Sequence, residues 1–281
     1  THSFGRAAAL AAPPVPDPNE CVFLGDGNAV SLLGSPKAPV EALASAEGAT
    51  SSCPPANVIM PIRVREDLGK ELARKNFTGI GVEVGTQRGT FSRSLLEGWK
   101  GARLFVQVDL WAHQMNYDDF ANVNDTKHEG FRKQACKYAR ELERKNFSGQ
   151  VVQCKNFSTA CAAYFPDESL DFVYLDARHD RKGLLEDLHT YWPKVRPGGV
   201  IAGHDYVVQD EPGNWYDPQR MGQDWTTNYD GTKDETGRAV KGAVDDFFSG
   251  TEETPADLRR CPRQIVVSYR EDQWNTWMVG K

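Results

Sequence analysis

Short apolar runs of strand character recur from about residue 58 to the end of the chain, and this recurrence constrains the fold more than any other feature. Stretches with the helical spacing of apolar residues separate most of them, as in TFSRSLLEGWKG and FRKQACKYARELERKN. The strand-like runs are, in order, GIGVEVG, RLFVQVDLW, GQVVQCKN, LDFVYLDA, GGVIAGHDY, RQIVVSYR and QWNTWMVGK. Strands that alternate with helices predict a doubly wound α/β fold, a parallel sheet covered on both faces. The last two runs follow one another closely, so we expect a hairpin that adds one antiparallel strand.

Two parts of the chain lack this pattern. Residues 1–57 are rich in Ala, Pro, Gly and Ser, which predicts an irregular arm or stalk ahead of a folded domain at residues 58–281. Residues from about 207 to 238 are polar and show no periodicity. A loop of that length in a compact domain is typically a functional lid or a disordered segment, and we expect a lid here.

Charge and cysteine content limit the partners and the compartment. The formal net charge is -6 without a long basic block, so nucleic acid is not an expected partner. No apolar run approaches the roughly 20 residues of a membrane span. Six cysteines without a C-x-x-C pair argue against zinc, and Cys21 with Cys53 is the expected first disulfide. Four N-x-[ST] sequons favour a secretory lumen, Golgi-like, over the cytoplasm. The oligomeric state stays open.

Each predicted parallel strand ends in residues that can bind a ligand. Ligands of open parallel sheets sit outside the carboxyl ends of the strands. Gly85 and Gly89 let the first strand turn tightly into a helix, whose N-terminal N–H groups then face this edge. Asp109 ends the second strand, 24 residues after Gly85. This is the sequence spacing typical of an acid that holds ribose hydroxyls. The remaining strand ends supply Asn156, Ser158, Asp176, His204 and Asp205.

These segments carry a family resemblance. VEVGTQRGTFS, VDLW, LDFVYLDARHDRKGLLEDLHTYWPKVRPGGVIAGHDY and the terminal WMVGK resemble the class I S-adenosylmethionine (SAM)-dependent methyltransferases, in particular the small O-methyltransferase-like branch. The resemblance covers roughly residues 60–281 and implies a Rossmann-like sheet of seven strands with the last strand antiparallel. The loop GTQRG differs from the G-x-G-x-x-G of nicotinamide dehydrogenases, which argues against that class.

The resemblance also implies a cofactor site. Its glycine-rich loop would line the methionine part of SAM, Asp109 would hold the ribose, and Asp176 would close the floor of the pocket. Ser158 with Asn156 would lie near the adenine. The residues carried over for the methionine part are Glu83, Gly85, Thr86 and Gly89.

Methyl transfer to a hydroxyl needs a group that removes the hydroxyl proton, or a metal that acidifies it. His204 is a candidate base, and His179 competes for that role because it follows Asp176 by three residues. Asp205 completes the catalytic set. In metal-dependent relatives the positions of Asp176, His204 and Asp205 bind the ion, so magnesium or manganese is a possible cofactor.

Aromatic residues in the polar loops are candidates for acceptor binding. Trp215, Tyr216 and Trp225 lie in the expected lid, and Tyr117 lies in the loop after the second strand. Aromatic faces beside carboxylates and amides suit a sugar ring, so we expect an O-methyltransferase that acts on a sugar or glycan. A phenol or catechol is the second acceptor class. The chain is also compatible with a binding protein that keeps the fold without catalysis, and with a different metal-centred chemistry such as hydroxylation.

Overall fold

A computed structural model describes residues 20–24, 53, 58–145, 147–207, 223–271 and 274–281. Within these residues the chain forms a seven-stranded sheet with helices on both faces. The strands are β1 (Ile80–Val84), β2 (Leu104–Asp109), β3 (Gln150–Lys155), β4 (Leu170–Leu175), β5 (Val195–Gly203), β6 (Val266–Val267) and β7 (Trp277–Gly280). The helices are α1 (Leu68–Arg74), α2 (Thr90–Gly98), α3 (Asp125–Lys145), α4 (Ser158–Ala162), α5 (Arg181–Tyr191), α6 (Ala239–Phe248) and α7 (Ala256–Arg260). A 3-10 turn at Arg65–Asp67 precedes α1.

The strand order is β3-β2-β1-β4-β5-β7-β6. β7 runs antiparallel to β5 and β6, and the pairs from β3 to β5 are parallel. The predicted fold, with its antiparallel last strand, is therefore confirmed. The chain winds outward from β1 in one direction and from β4 in the other. The carboxyl ends of β1 and β4 thus form the point where strand order reverses, the usual ligand position of such sheets.

An apolar core lies on each face of the sheet. α1, α2 and α3 cover one face through residues such as Leu72, Leu95 and Ala139, and α4, α5 and α6 cover the other. Because both faces are covered, consecutive strand residues are buried: all five residues of β1 and all six of β4. This is why these strands read as continuous apolar runs instead of alternating patterns.

The helix α5 is shorter than its sequence pattern predicts. The helical spacing of KGLLEDLHTYWPKV extends to Val195, but α5 ends at Tyr191. Pro193 cannot continue a helix, and Val195 already belongs to β5, where it pairs with Leu170. At the other end, the Asp180 side chain accepts a hydrogen bond from Gly183 N at 3.0 Å and caps the helix.

The expected Cys21–Cys53 disulfide is wrong. Cys21 is bonded to Cys136 of α3, Cys53 to Cys261 after α7, and Cys154 to Cys161. Residues 21–24 run along the outer edge of β3, where Leu24 N donates to Gln153 O at 2.8 Å. The N-terminal cysteines therefore meet partners far away in sequence. The predicted boundary at residues 57/58 stays a prediction.

No helix in the described parts of the chain is both long and apolar enough to cross a membrane.

Candidate active site

A cavity of about 840 Å³ opens at the carboxyl ends of β1, β2, β4 and β5. This is within the usual size range of small-molecule sites. Most of the residues that the sequence singles out line it together, and Gly89 is not among the lining residues. Trp215 and Tyr216 fall outside the described residues. The predicted site residues that line the cavity are Glu83, Gly85, Thr86, Asp109, Tyr117, Asn156, Ser158, Asp176, His179, His204, Asp205 and Trp225.

Two glycines shape the turn between β1 and α2. Gly85 has a φ of 92°, and a Cβ added there would lie 1.9 Å from the carbonyl oxygen of Asp176. Gly89 has a φ of 73° and caps α2 against Ala135, whose Cα would be 2.9 Å from an added Cβ. Both positions therefore require glycine. Thr86, which is buried, lies in the same turn.

Asp109 ties this turn to the end of β2. Its Oδ2 accepts from Gln87 N at 2.8 Å, and its Oδ1 accepts from Trp111 N at 2.6 Å. Burial raises the pKa of Asp109, and these two backbone hydrogen bonds oppose the rise. A carboxylate has about four acceptor positions, so two remain for hydroxyl groups of a ligand.

His128 of α3 faces the same end of the cavity. It is 7% exposed, and neither ring nitrogen hydrogen-bonds to a described residue. Buried polar groups are nearly always paired, so this histidine fits a site that a polar ligand completes. The sequence pattern did not single it out, because a histidine in the first turn of a charged helix carries no distinct signal.

The turn after β3 forms the opposite wall. Asn156 is exposed and its Oδ1 accepts from Phe157 N at 2.9 Å, while Ser158 begins α4. Asp187 of α5 lies behind Ser158, and burial raises its pKa to about 7, against the hydrogen bond to Ser158. Asp187 was not predicted, since it has the spacing of an ordinary helix residue.

Three titratable side chains meet at the ends of β4 and β5. One ligand atom from each of Asp176, His179 and Asp205 lies within 4.8 Å of the others. His179 Nε2 is 3.0 Å from Asp205 Oδ2 and 3.7 Å from Asp176 Oδ1. Two carboxylates beside an imidazole form an oxygen-rich donor set that fits magnesium or manganese.

Asp119, which the sequence pattern did not reveal, anchors the other side of His179. Its Oδ2 is 3.0 Å from His179 Nδ1 and accepts from Trp225 Nε1 at 2.8 Å. Burial works against the charge of Asp119, but the hydrogen bond from His179 outweighs it and lowers the pKa of Asp119. In the sequence Asp119 is one of two adjacent aspartates in a polar loop, and only the fold separates their roles.

The surroundings of His179 favour its charged form in the absence of a bound cation. Burial alone would lower its pKa, but Tyr117, Asp205 and Asp119 outweigh burial and raise the pKa of His179 well above its usual value. The Tyr117 hydroxyl is 3.2 Å from His179 Nδ1 and donates to Ala177 O at 3.1 Å. This network orients the ring, with Nε2 toward Asp176 and Asp205.

His204 lies on the cavity beside Asp205 but outside the three-residue cluster. Its Nδ1 is 3.0 Å from Asp205 Oδ1, so Asp205 lies between the two histidines. Burial favours neutral His204, but Asp205 outweighs this effect and raises the pKa of His204. Asp205 has a φ of 55°, a strained conformation for a residue other than glycine. The neighbouring Tyr206 does not line the cavity. Its hydroxyl donates a hydrogen bond to Asp245 Oδ1 of α6.

The described part of the expected lid packs against this site. Trp225 is 2% exposed, and its ring centre lies 4.5 Å from that of His179. Tyr229, by contrast, is 42% exposed at the mouth. Trp225 therefore packs against the His179 ring, with the two planes inclined by 48°, and also lines the cavity.

The central part of the chain, from β1 to the end of β5, matches a known protein family. Residues 82–206 match the model of a family described as a methyltransferase domain. In this central part the chain is similar to a methyltransferase domain. SAM is the methyl donor expected from this similarity, and the glycine turn and Asp109 fit it. No curated protein sequence gives a significant match to this chain.

Several solved structures resemble this chain at low sequence identity. An O-methyltransferase from Bacillus cereus in complex with S-adenosylhomocysteine (SAH) is 17% identical, covers 81% of this chain and 84% of its own, and has a TM-score of 0.47. An O-methyltransferase family protein from Burkholderia thailandensis is 14% identical, with 77% and 55% covered and a TM-score of 0.49. A protein from Corynebacterium glutamicum is 14% identical, with 77% and 78% covered and a TM-score of 0.47.

Proposed function

We propose that this protein is a methyltransferase that transfers the methyl group of SAM to a hydroxyl oxygen of an acceptor bound beside Asp176, His179 and Asp205. The observation that carries the proposal is the position of this cluster. It lies at the ends of β4 and β5, in the same cavity as the glycine turn and Asp109. Cofactor and acceptor would therefore meet in one enclosed space, as an in-line displacement requires.

His179 is the group best placed to take the proton of the acceptor. With Nδ1–H donated to Asp119, the lone pair of Nε2 points toward the cluster. As the acceptor oxygen bonds to the methyl carbon, the carbon–sulfur bond breaks, its electron pair stays on sulfur to give SAH, and the hydroxyl proton moves to Nε2. His204, the other candidate base, would orient Asp205 through its Nδ1.

Asp176 and Asp205 would hold a divalent cation, magnesium or manganese. One or two carboxylates completed by water are the usual protein ligands of magnesium. Such an ion compensates the charge of the carboxylates and acidifies a coordinated hydroxyl. With its charge compensated by the ion, Asp205 would no longer raise the pKa of His179. His179 could then be neutral, as a general base must be.

A sugar or glycan remains the acceptor class that we propose first, with a phenol or catechol second. Sugars and catechols would offer adjacent hydroxyls to the cluster, and a phenol would offer one. The exposed ring of Tyr229 at the mouth, near the amide of Asn116, suits the face and rim of a sugar. The exposed side chains of Met115 and Phe120, also at the mouth, would favour an aromatic acceptor.

An oxidising compartment, such as a secretory lumen, is the location that we propose. The structure has three disulfides, which involve all six cysteines. Disulfides persist in such compartments and are rare in the cytosol. The four sequons point in the same direction.

The test is methyl transfer from radiolabelled SAM to a panel of sugars and catechols, with manganese or with a chelator. On the best acceptor, His179→Asn should lower kcat by about 10²- to 10⁴-fold, the usual contribution of a general base. SAH affinity should change little. His204→Asn is the matched control and should lower kcat less. A larger loss in His204→Asn would assign the base to His204, and full activity in chelator would remove the metal from the proposal.

A further inference from the structure

Arg65 brings a guanidinium into the cavity from a segment to which neither the sequence pattern nor the family match assigns a role. It lies in the 3-10 turn before α1, and its Nη1 is 3.4 Å from Asp176 Oδ2. The guanidinium lies 5.5 Å from the ring centre of Phe91, and its side chain is 29% exposed. Arg65 is therefore a partly buried cation with one side open to the cavity.

The backbone around Arg65 is fixed to the connection between β6 and β7. Arg65 N donates to Glu271 Oε1 at 2.8 Å, and Glu271 Oε2 accepts from Thr276 N at 2.9 Å. Tyr269 N donates to Ile62 O at 3.2 Å, and Arg270 N donates to Arg63 O at 2.9 Å. These contacts set the position of the arginine before any ligand binds.

Of the two arginines at the cavity, Arg65 is the one with N–H donors available for an anionic ligand. Among described residues that line the cavity, the arginines are Arg65 and Arg178, and there is no lysine. The guanidinium of Arg178 bonds to Asp180, Gln114 and the carbonyl of Asn116. A guanidinium has five N–H donors. Arg65 Nη1 contacts Asp176 and Arg65 Nε lies 3.6 Å from Glu66 Oε1, which leaves donors of the other terminal nitrogen for a ligand carboxylate.

The part of the cavity nearest Arg65 matches one end of the cofactor. Glu83 and Phe91, on either side of the glycine turn, lie close to the guanidinium, and the Arg65 charge acts on the Glu83 carboxyl. The methionine end of SAM carries an α-carboxylate and an α-ammonium group. Asp109 and His128 lie at the far end of the turn, where the ribose fits.

We propose that Arg65 binds the α-carboxylate of the methionine moiety of SAM and so sets the position of the sulfonium relative to the cluster. The pairing of guanidinium and carboxylate matches in charge and in planar geometry, and such hydrogen bonds are about twice as strong as neutral ones. The proposal rests on the SAM site described above. It concerns the amino-acid end of that site alone.

Calorimetric titration with two ligands isolates this contact. SAH carries the α-carboxylate, and 5′-methylthioadenosine keeps the nucleoside and the sulfur but lacks the amino acid. In Arg65→Ala the affinity for SAH should fall about tenfold or more, as expected for a lost charge-assisted pair. The affinity for 5′-methylthioadenosine should change less than about twofold. Arg65→Lys should recover part of the SAH affinity. Arg63→Ala, an exposed arginine of the same segment, is the matched control and should bind both ligands like the wild type.

Equal SAH affinity in wild type and Arg65→Ala would overturn the proposal, and so would an equal loss for both ligands, which would assign Arg65 a structural role. Wild-type protein that binds neither ligand would overturn the cofactor site as a whole. These results are distinguishable because the first two require normal wild-type binding.

Discussion

Glu83 is a carboxyl group at the centre of the sheet. It is 2% exposed and accepts a hydrogen bond from the Ser92 hydroxyl. Gln107 Nε2 donates to Ser92 Oγ at 3.0 Å, and Gln153 Nε2 donates to Gln107 Oε1 at 3.2 Å. Burial raises the pKa of Glu83 to about 8, although the Ser92 hydrogen bond opposes the rise. The folded protein therefore holds this carboxyl largely protonated at neutral pH.

We expect this proton to make stability pH-dependent. Glu83 has a pKa of about 8 in the folded state, against a reference value of 4.5. Between these values the folded state binds more protons than the unfolded state, so the free energy of unfolding falls as pH rises from about 4.5 to about 8. Glu83→Gln removes this titration and keeps an acceptor for Ser92.

Urea unfolding at pH 5, 7 and 8.5 measures the effect. Relative to wild type, Glu83→Gln should gain stability as pH rises across this range. A constant difference between the two proteins at all three pH values would mean that Glu83 is not protonated in the folded state.

Among individual residues of the site, the sequence predicted those at the ends of the strands. It missed the residues that reach the site from loops and turns elsewhere in the chain. Glu83, Asp109 and Asp176 follow from strand ends, because parallel strands bring those ends to one edge. Asp119 and Arg65 lie in a loop and a short turn. Their partners are 60 and 111 residues away, and no local pattern encodes such contacts.

Helix α4 is short, and it begins at Ser158, a residue of the cavity wall. It has five residues, and isolated helices of that length are not stable. Two bonds hold it. The Cys154–Cys161 disulfide joins it to the end of β3, and the Tyr191 hydroxyl donates to Ser158 O at 2.9 Å. The loop that this disulfide closes includes the cavity residues Asn156 and Ser158.

Removal of this disulfide should therefore weaken cofactor binding. A disulfide that closes a short loop contributes about 2 kcal/mol through chain entropy, and part of that stabilises the wall of the cavity. In Cys154→Ala/Cys161→Ala we expect SAH affinity to fall by about two- to tenfold, measured by calorimetry. Cys53→Ala/Cys261→Ala is the matched control, because no described residue within three positions of either cysteine lines the cavity, whereas Asn156 and Thr159 lie two positions from Cys154 and Cys161. Equal losses in both double variants would show that the effect is general destabilisation.

The strands were predictable where both faces of the sheet are covered. β1 and β4 match their apolar runs closely, since every residue is buried. β6 is only two residues long although RQIVVSYR predicts a longer strand, because it pairs with β7 alone and Tyr269 and Arg270 turn toward Ile62 and Arg63. Strand length at this position depends on tertiary contacts that the pattern does not contain.

For the whole molecule, the alternation of strands and helices was sufficient to predict the fold. It could not predict how the N-terminal residues join the domain. Residues 21–24 add to the edge of β3, with Cys21 bonded to α3, and Cys53 is bonded to Cys261. Disulfide pairing depends on which surfaces meet in three dimensions, so nearness along the chain led to the wrong pair.

The measurement that tests the central claim most directly is calorimetric titration of SAH into the wild-type protein and into Asp109→Asn, with magnesium and again with a chelator. We expect micromolar binding to wild type, with affinity at least about tenfold lower in Asp109→Asn, because one acceptor for the ribose hydroxyls is lost. Absence of SAH binding to the wild type under both conditions would contradict the assignment of this cavity as a cofactor site.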